Sequence, residues 1–428
     1  MKKVLIIGHF WPYHLGGSKR VFGLAKYLPE FDWEPIILTG FLKKRPDFKI
    51  KTIETNSYNT IVRLKKILGL NPQKGFQKQI GIPSEIREKE HSLTTKIMKL
   101  IEGIITYPDV EKDWKPFALK AAKEFLKTEK INALISVSPV PAHFIARELK
   151  KQYKIPWIAD FPDLWSYNVS YQYGPLRKLL DIELEKRTIK LADFLTTSCL
   201  PQQKILERLH RKKLIQTIML GYDPESVNDP PKELTKKFTI TYTGLWQGQQ
   251  RDPEKLFMVL RELISEELIS PKDIEVRFYG PPQEWIERKI DKYRLSNIVK
   301  QLGVVSWHDC LERQRESQLL LFLNWGGKEK AASGVFSGKL LDYLASRRPI
   351  IGVGGIGEDK VIKEIFLETK AGTYCPRPED IRECLLKFYS EYKKKGKVDY
   401  RGNSEAINKY NNREMSRKFA KILNLFQR

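Results

Sequence analysis

Lys339 and Asp342, set three residues apart behind Gly338, are the residues of this chain whose types and spacing best suit chemistry. They open the pattern Gly338-Lys-Leu-Leu-Asp-Tyr-Leu344, which follows a glycine-bearing loop and runs into Pro349 and a short apolar stretch suited to a buried strand. A helix start leaves backbone N–H groups unpaired beside the positive end of the helix dipole, and together these hold phosphate. The N–H groups at Ser337-Gly338 would supply that grip, and Lys339 in the first turn adds a full positive charge. Asp342 lies on nearly the same helix face and can accept hydrogen bonds from sugar hydroxyls. One segment thus offers a diphosphate grip and a ribose grip, the two that a nucleotide sugar requires.

Elements able to position these residues are legible along the whole chain. Short apolar runs alternate with helical patterns, the sign of parallel sheets covered by helices. Strands are expected at Val4–Ile7, Pro35–Leu38, Ala133–Val137, Trp157–Ala159 and Phe194–Thr197, with helices starting near Ser18, Trp114, Pro141 and Gly174. After a polar, proline-bearing stretch from Asp223 to Lys237, the pattern restarts at Phe238, with strands at Ile274–Tyr279, Leu319–Leu323 and Ile350–Val353. The division expected is a first domain over 1–226, a second over 237–403, and a last helix over 404–428 that packs on the first domain. The segment Phe41–Gly103 breaks the rhythm: it holds 14 Lys and Arg against 6 Asp and Glu, a local +8, with an amphipathic start over Ile61–Leu70.

At 428 residues the chain exceeds one ordinary core, and its 41% hydrophobic content is ample for two. Its 76 Lys and Arg against 52 Asp and Glu give +24, which suits anionic partners without choosing among nucleic acid, acidic lipid and nucleotide diphosphate. Zinc-finger and RRM signatures are absent, so no nucleic acid is expected as a partner. Cys199, Cys310, Cys375 and Cys384 show neither C-x-x-C nor zinc spacing and read as reduced thiols in a cytoplasmic protein. The apolar run Val4–Ile7 is too short for a signal-peptide core, and no run approaches the roughly 20 apolar residues that cross a bilayer.

The segment Gly338-Lys339-Leu340-Leu341-Asp342-Tyr343-Leu344, followed by Arg347-Arg348-Pro349-Ile350, resembles the donor-binding helix of GT-B glycosyltransferases of the retaining family 4 type, in their polysaccharide-biosynthesis branch. Most relatives carry Glu where this chain has Asp342, and an acid eight residues earlier where it has Gly334. The resemblance implies two Rossmann-like α/β domains with parallel sheets facing a cleft, the first binding the acceptor and the second the nucleotide sugar, and a C-terminal helix crossing back. It implies metal-independent transfer, with retention and no cofactor, of a sugar from a nucleoside diphosphate sugar, UDP by family frequency. The acceptor would be a glycan or a lipid-linked glycan.

The same resemblance extends to other segments. Pro12-Tyr-His-Leu-Gly-Gly-Ser-Lys-Arg20 is similar to the family's first glycine loop, in which Gly16 and Gly17 let backbone approach the donor; a plain tight turn is the other reading. Tyr242-Thr-Gly-Leu-Trp-Gln-Gly-Gln-Gln-Arg-Asp-Pro253 resembles the stretch that carries a phosphate-binding cation, here Arg251 after Gly244. Gly280 and Val305 fall in matching strand-end loops, Val305 where backbone meets the nucleobase edge. Ile155-Pro-Trp-Ile-Ala-Asp-Phe-Pro-Asp-Leu-Trp165 looks like a D-F-R-D-x-W signature with Pro162 in place of Arg, making Asp160 and Asp163 candidates for holding sugar hydroxyls or for capping a turn. His143 is an acceptor-side candidate or a packed helix residue. Catalysis would rest on Asp160, Asp163, Arg251 and Lys339, without a metal. A UDP-sugar 2-epimerase of the same fold and a basic nucleic-acid-binding protein are the alternatives. The basic segment either lies peripherally on an anionic membrane or packs on the first domain.

Overall fold

The computed structural model describes residues 1–9, 16–56, 103–168, 171, 173–227, 233–246, 251–325, 337–354 and 359–426. The chain divides into two compact units, Met1–Met219 with Met415–Arg428, and Leu220–Glu414.

In the first unit seven parallel strands stand in the order β3-β2-β1-β4-β5-β6-β7: β1 Lys2–Ile7, β2 Trp33–Gly40, β3 Lys51–Thr55, β4 Ala133–Val137, β5 Trp157–Phe161, β6 Phe194–Thr197 and β7 Leu214–Thr217. Side chains alternate across a strand, and here both faces are covered, which is why β1 reads as an unbroken apolar run. Leu5 and Ile7 pack with Trp114, Ala118 and Ala122 on one side. Val4 and Ile6 pack on the other with Val21 and Leu24 of α1 (Gly16–Tyr27) and with Met415, Phe419 and Leu423 near the C-terminus. Burial of a large apolar side chain such as these contributes roughly 1.5–3 kcal/mol.

The described helices between those strands are α2 Trp114–Thr128, α3 Val140–Tyr153, α4 Pro175–Ile189 and α5 Leu200–Leu209. The chain builds β1, β2 and β3 outward and then returns to set β4 on the other side of β1. The strand order therefore reverses between β1 and β4, the position at whose carboxyl ends such sheets bind ligands.

The second unit repeats the plan with six parallel strands in the order β10-β9-β8-β11-β12-β13: β8 Phe238–Thr243, β9 Ile274–Tyr279, β10 Val299–Gly303, β11 Leu319–Asn324, β12 Ile350–Gly354 and β13 Gly372–Cys375. Its switch point lies between β8 and β11. Helices α6 Glu254–Ser265, α7 Glu284–Lys292, α8 Trp307–Arg315, α9 Lys339–Ala345, α10 Lys360–Thr369 and α11 Pro378–Lys395 surround the sheet.

The single last helix expected from Ser404 is two helices, α12 Ser404–Asn408 and α13 Asn412–Leu425. At the break, Asn411 pairs with Tyr222 in an isolated parallel bridge, and the Asn411 side chain accepts from the Glu414 N–H at 2.8 Å to start α13. Lys409 and Tyr410 bind Glu368, both at 2.6 Å, so α12 goes with the second unit and only the stretch from Met415 with the first. Of the basic segment, β3 is described; Ile61–Leu70 lies outside the described residues.

Candidate functional site

In the second unit the loop after β8 and the start of α9 bring two cations onto one oxygen. Lys339 Nζ donates to the Leu245 carbonyl at 2.7 Å and to the Tyr242 hydroxyl at 2.5 Å, standing 4.3 Å over the Tyr242 ring. Arg251 Nη1 reaches the same Leu245 carbonyl at 3.3 Å, and the residue is buried. Among the described residues neither cation has a carboxylate in salt-bridge contact. Burial first, and then the Arg251 charge, hold the Lys339 ammonium pKa well below its ordinary value.

Two glycines make this approach sterically feasible. Gly244 has φ +116°, a conformation L side chains rarely adopt, and a Cβ there would lie 2.4 Å from Lys339 Cε. A Cβ on Gly280 would lie 2.4 Å from the Gly244 carbonyl oxygen. The platform beneath is rigid: the Tyr343 hydroxyl of α9 accepts from the Thr243 N–H at 2.9 Å, and Trp246 stacks on Tyr242 with centroids 4.7 Å apart.

Asp342 sits half-buried on α9, close enough to Lys339 to act on its charge. Ser337 Oγ is 3.4 Å from the Lys339 N–H, and Gly338 caps the helix. Val305 lies half-buried one residue before Ser306, whose side chain caps α8. The structure thus gathers Gly244, Arg251, Gly280, Lys339 and the Ser337–Asp342 segment. Gly334 lies outside the described residues.

In the first unit, the carboxyl ends of β1, β4 and β5 open on a recess of about 450 Å³. Gly17 and Asp163 line it. Gly16 begins α1, and a Cβ on Gly17 would meet the Ser138 carbonyl oxygen at 2.7 Å, so glycine there lets α1 abut the β4 loop. Asp163 is reached by water yet walled in by the recess, and this desolvation pushes its carboxyl above the usual range.

Asp160 and His143 do not line the recess, and their expected roles toward substrate find no geometric support. Asp160 is fully buried, one oxygen taking Arg20 Nε at 3.0 Å and the other Thr196 Oγ1 at 2.7 Å. Arg20, equally buried, also binds the carbonyls of Ile218 at 2.6 Å and Met219 at 3.1 Å. The pair braces α1 against β5 and the end of β7. His143 is sealed under Phe161 with its ring Nδ1 2.7 Å from Ser136 Oγ, and burial lowers its pKa to about 3, so it is neutral at physiological pH.

Sequence reasoning missed Tyr242 and Tyr343, which present apolar rings to the core and hydroxyls to the site, as well as Asp109, Arg177 and Asp181 in the first-unit recess. The spacing of Arg177 and Asp181, one turn apart on a helix, was the one available signal for that pair.

No protein-family model matches the sequence, and no curated protein sequence matches it. Solved structures do match in fold over the full length. Sucrose-phosphate synthase from Thermosynechococcus elongatus superposes with a TM-score of 0.61 at 13% identity over 99% of both chains. A glycosyltransferase from Rickettsia africae gives 0.60 at 15% identity, over 100% of this chain and 99% of its own. A TarM variant from S. aureus, solved with fondaparinux, α-GlcNAc-glycerol and UDP, gives 0.57 at 11% identity over 99% of this chain and 100% of its own. At such identities the likeness speaks for architecture alone, and that architecture, two parallel α/β units matched end to end, is the GT-B fold.

Proposed function

We propose that this protein is a glycosyltransferase that moves a sugar from a nucleoside diphosphate sugar, UDP-linked, to a hydroxyl of a glycan or lipid-linked glycan, with retention. The observation that carries the reading is the convergence of Arg251 and Lys339 on the Leu245 carbonyl beside Gly244 and Gly280. Two like charges, one buried and one half-buried, that share an oxygen with no carboxylate in salt-bridge contact are costly, and a diphosphate relieves that cost by binding both. As the glycosidic bond breaks, charge grows on the leaving diphosphate. Cations already oriented toward it stabilise that state without reorganising, the role a metal ion fills elsewhere, and we read transfer as metal-independent. Asp342 would take ribose hydroxyls, and backbone at Val305 the base edge.

Synthesis of cell-surface polysaccharide or glycoconjugate is the setting we favour, with the +8 segment Phe41–Gly103 meeting an anionic membrane surface at the cytoplasmic face. No described helix is long and apolar enough to cross a membrane.

Thermal denaturation with a panel of nucleotides and nucleotide sugars tests the donor site. A ligand at 100 times its Kd should add about 2.7 kcal/mol of stability, and Arg251→Ala and Lys339→Ala should each abolish most of that gain. Release of free UDP that depends on an acceptor sugar distinguishes transfer from epimerisation. Absence of stabilisation by UDP and every nucleotide sugar would overturn the reading.

A further inference from the structure

Two cysteines share a wall of a second recess, of about 650 Å³, in the second unit. Cys375 closes β13, and Cys384 stands in the second turn of α11, with Pro376 and Arg377 making the turn between strand and helix. Both belong to one apolar core, at 0% and 6% exposure, and their side chains are in hydrogen-bonding contact. Cys375 Sγ also lies 3.8 Å from the Thr373 carbonyl oxygen. A single buried thiol behaves as a small apolar side chain and is inert. Two that already touch at the edge of an open recess differ, because closing an S–S bond of about 2.05 Å asks only for side-chain rotation and the loss of two hydrogens.

The recess also has a charge of its own. Lys255, Lys363, Arg377 and Lys387 line it against Asp380 and Glu383. Lys255 Nζ donates to the Pro376 carbonyl at 2.6 Å, which holds a cation beside the strand end, and Arg377 pairs with Asp380 at 2.7 Å. The balance is positive, so a disulfide that enters most readily is an anionic one, such as glutathione disulfide, whose carboxylates outnumber its amines.

We propose that Cys375 and Cys384 form a reversible dithiol–disulfide site that exchanges with anionic low-molecular-weight disulfides, and that its oxidation ties α11 to the end of β13. The site stands apart from donor binding, since none of Gly244, Arg251, Gly280 and Lys339 lines this recess. Cys384, the more exposed of the two, attacks one sulfur of glutathione disulfide as the thiolate. The old S–S bond breaks, and the departing glutathione thiolate takes up a proton in place of the one that Cys384 released. Hydrogen bonding to Cys384, and then burial, push the Cys375 thiol above its ordinary range, so Cys375 acts second. Its sulfur attacks Cys384 Sγ and expels the second glutathione, which carries off the Cys375 proton. The protein dithiol thereby loses two electrons and two protons, and one glutathione disulfide becomes two glutathiones.

The test is to hold the full chain, reduced beforehand, overnight in glutathione buffers of graded oxidised-to-reduced ratio, then to quench with acid, alkylate the remaining thiols and map them by mass spectrometry. In excess glutathione disulfide, wild type should lose two hydrogens and yield a linked peptide pair joining Cys375 to Cys384. Its Tm should rise by about 5 °C, and dithiothreitol should reverse each change. The rate should fall at least about threefold between low salt and about 0.5 M salt, where the charges of the recess are screened. Cys375→Ser should stop at the mixed disulfide, with glutathione retained on Cys384. Wild type that keeps both thiols open to alkylation at the most oxidising ratio overturns the proposal. Glutathione retained on Cys384 in wild type, or a link through Cys199 or Cys310 instead, does the same, and a rate indifferent to salt overturns the preference for anions. These readings need wild type alone and hold whether or not the serine variant folds.

Discussion

Replacing Gly244 by alanine probes the proposed donor site through a single methyl group. The new Cβ would sit 2.4 Å from Lys339 Cε and 2.9 Å from Nζ, inside any tolerable contact, so the lysine must leave the Leu245 carbonyl and the Tyr242 hydroxyl. At φ +116° the backbone itself also resists a side chain, at about 1–3 kcal/mol. If Lys339 grips the diphosphate, displacing it removes one charge-assisted hydrogen bond, about 1.5–3 kcal/mol, or about 10- to 150-fold in UDP affinity. Calorimetric titration of UDP into wild type, Gly244→Ala, Lys339→Ala and the double variant isolates the shared part. Because both changes act on the same ammonium, the double variant should bind UDP little worse than Lys339→Ala. Wild-type UDP affinity in Gly244→Ala, or strictly additive losses in the double variant, would refute the argument that glycine is there to let the lysine pass.

Three other outcomes follow from the same geometry. Burial holds Lys339 well below its ordinary pKa, and a bound diphosphate would raise it, so UDP binding should take up protons and weaken as pH rises through the pKa of the free protein; titrations in buffers of differing ionisation enthalpy measure that uptake. Asp160→Asn leaves the Arg20 guanidinium buried without its charge partner and should cost about 3–5 kcal/mol in urea denaturation, whereas Asp163→Asn should keep the wild-type midpoint and lower turnover. His143 stays neutral in the fold down to about pH 3 but protonates near 6.5 when unfolded, so below 6.5 the unfolded chain binds the extra proton and the fold loses about 1.4 kcal/mol per pH unit. Denaturation between pH 6.5 and 5, above the range where most carboxylates titrate, should show this slope, and His143→Gln should flatten it.

What the sequence disclosed and what it hid divide along a physical line. Every interior strand was visible, because burial on both faces demands an apolar run such as Val4–Ile7 or Leu319–Leu323. The four strands that were missed, Lys51–Thr55, Leu214–Thr217, Val299–Gly303 and Gly372–Cys375, are the four sheet edges. Edge strands are wet on one side, so Lys, Gln and Thr interrupt their apolar positions and the run vanishes. The break at Lys409–Asn411 joins a local signal to a distant one: Asn411 caps the next helix by accepting from the Glu414 N–H, and it also pairs with Tyr222, far off in sequence.

That Gly244, Arg251, Gly280 and Lys339 come together was legible because they lie at strand ends and a helix start, where glycine and a lone cation have no packing purpose to disguise them. Asp160 and Asp163 show the limit of that reasoning. Three residues apart in one loop signature, they read alike, yet one is sealed against Arg20 and the other faces water. Period-two alternation cannot separate them, since the strand ends at Phe161 between the two. The partner decides the matter: Asp160 is inward because Arg20, some 140 positions earlier, needs a buried counter-ion. Asp181 escaped notice by the reverse logic. Its neighbour Arg177 supplies an ordinary one-turn ion pair, and that pair uses only one of the two carboxylate oxygens. A sequence can announce such a pair, but whether an oxygen remains unpaired is settled only by the walls that close around it.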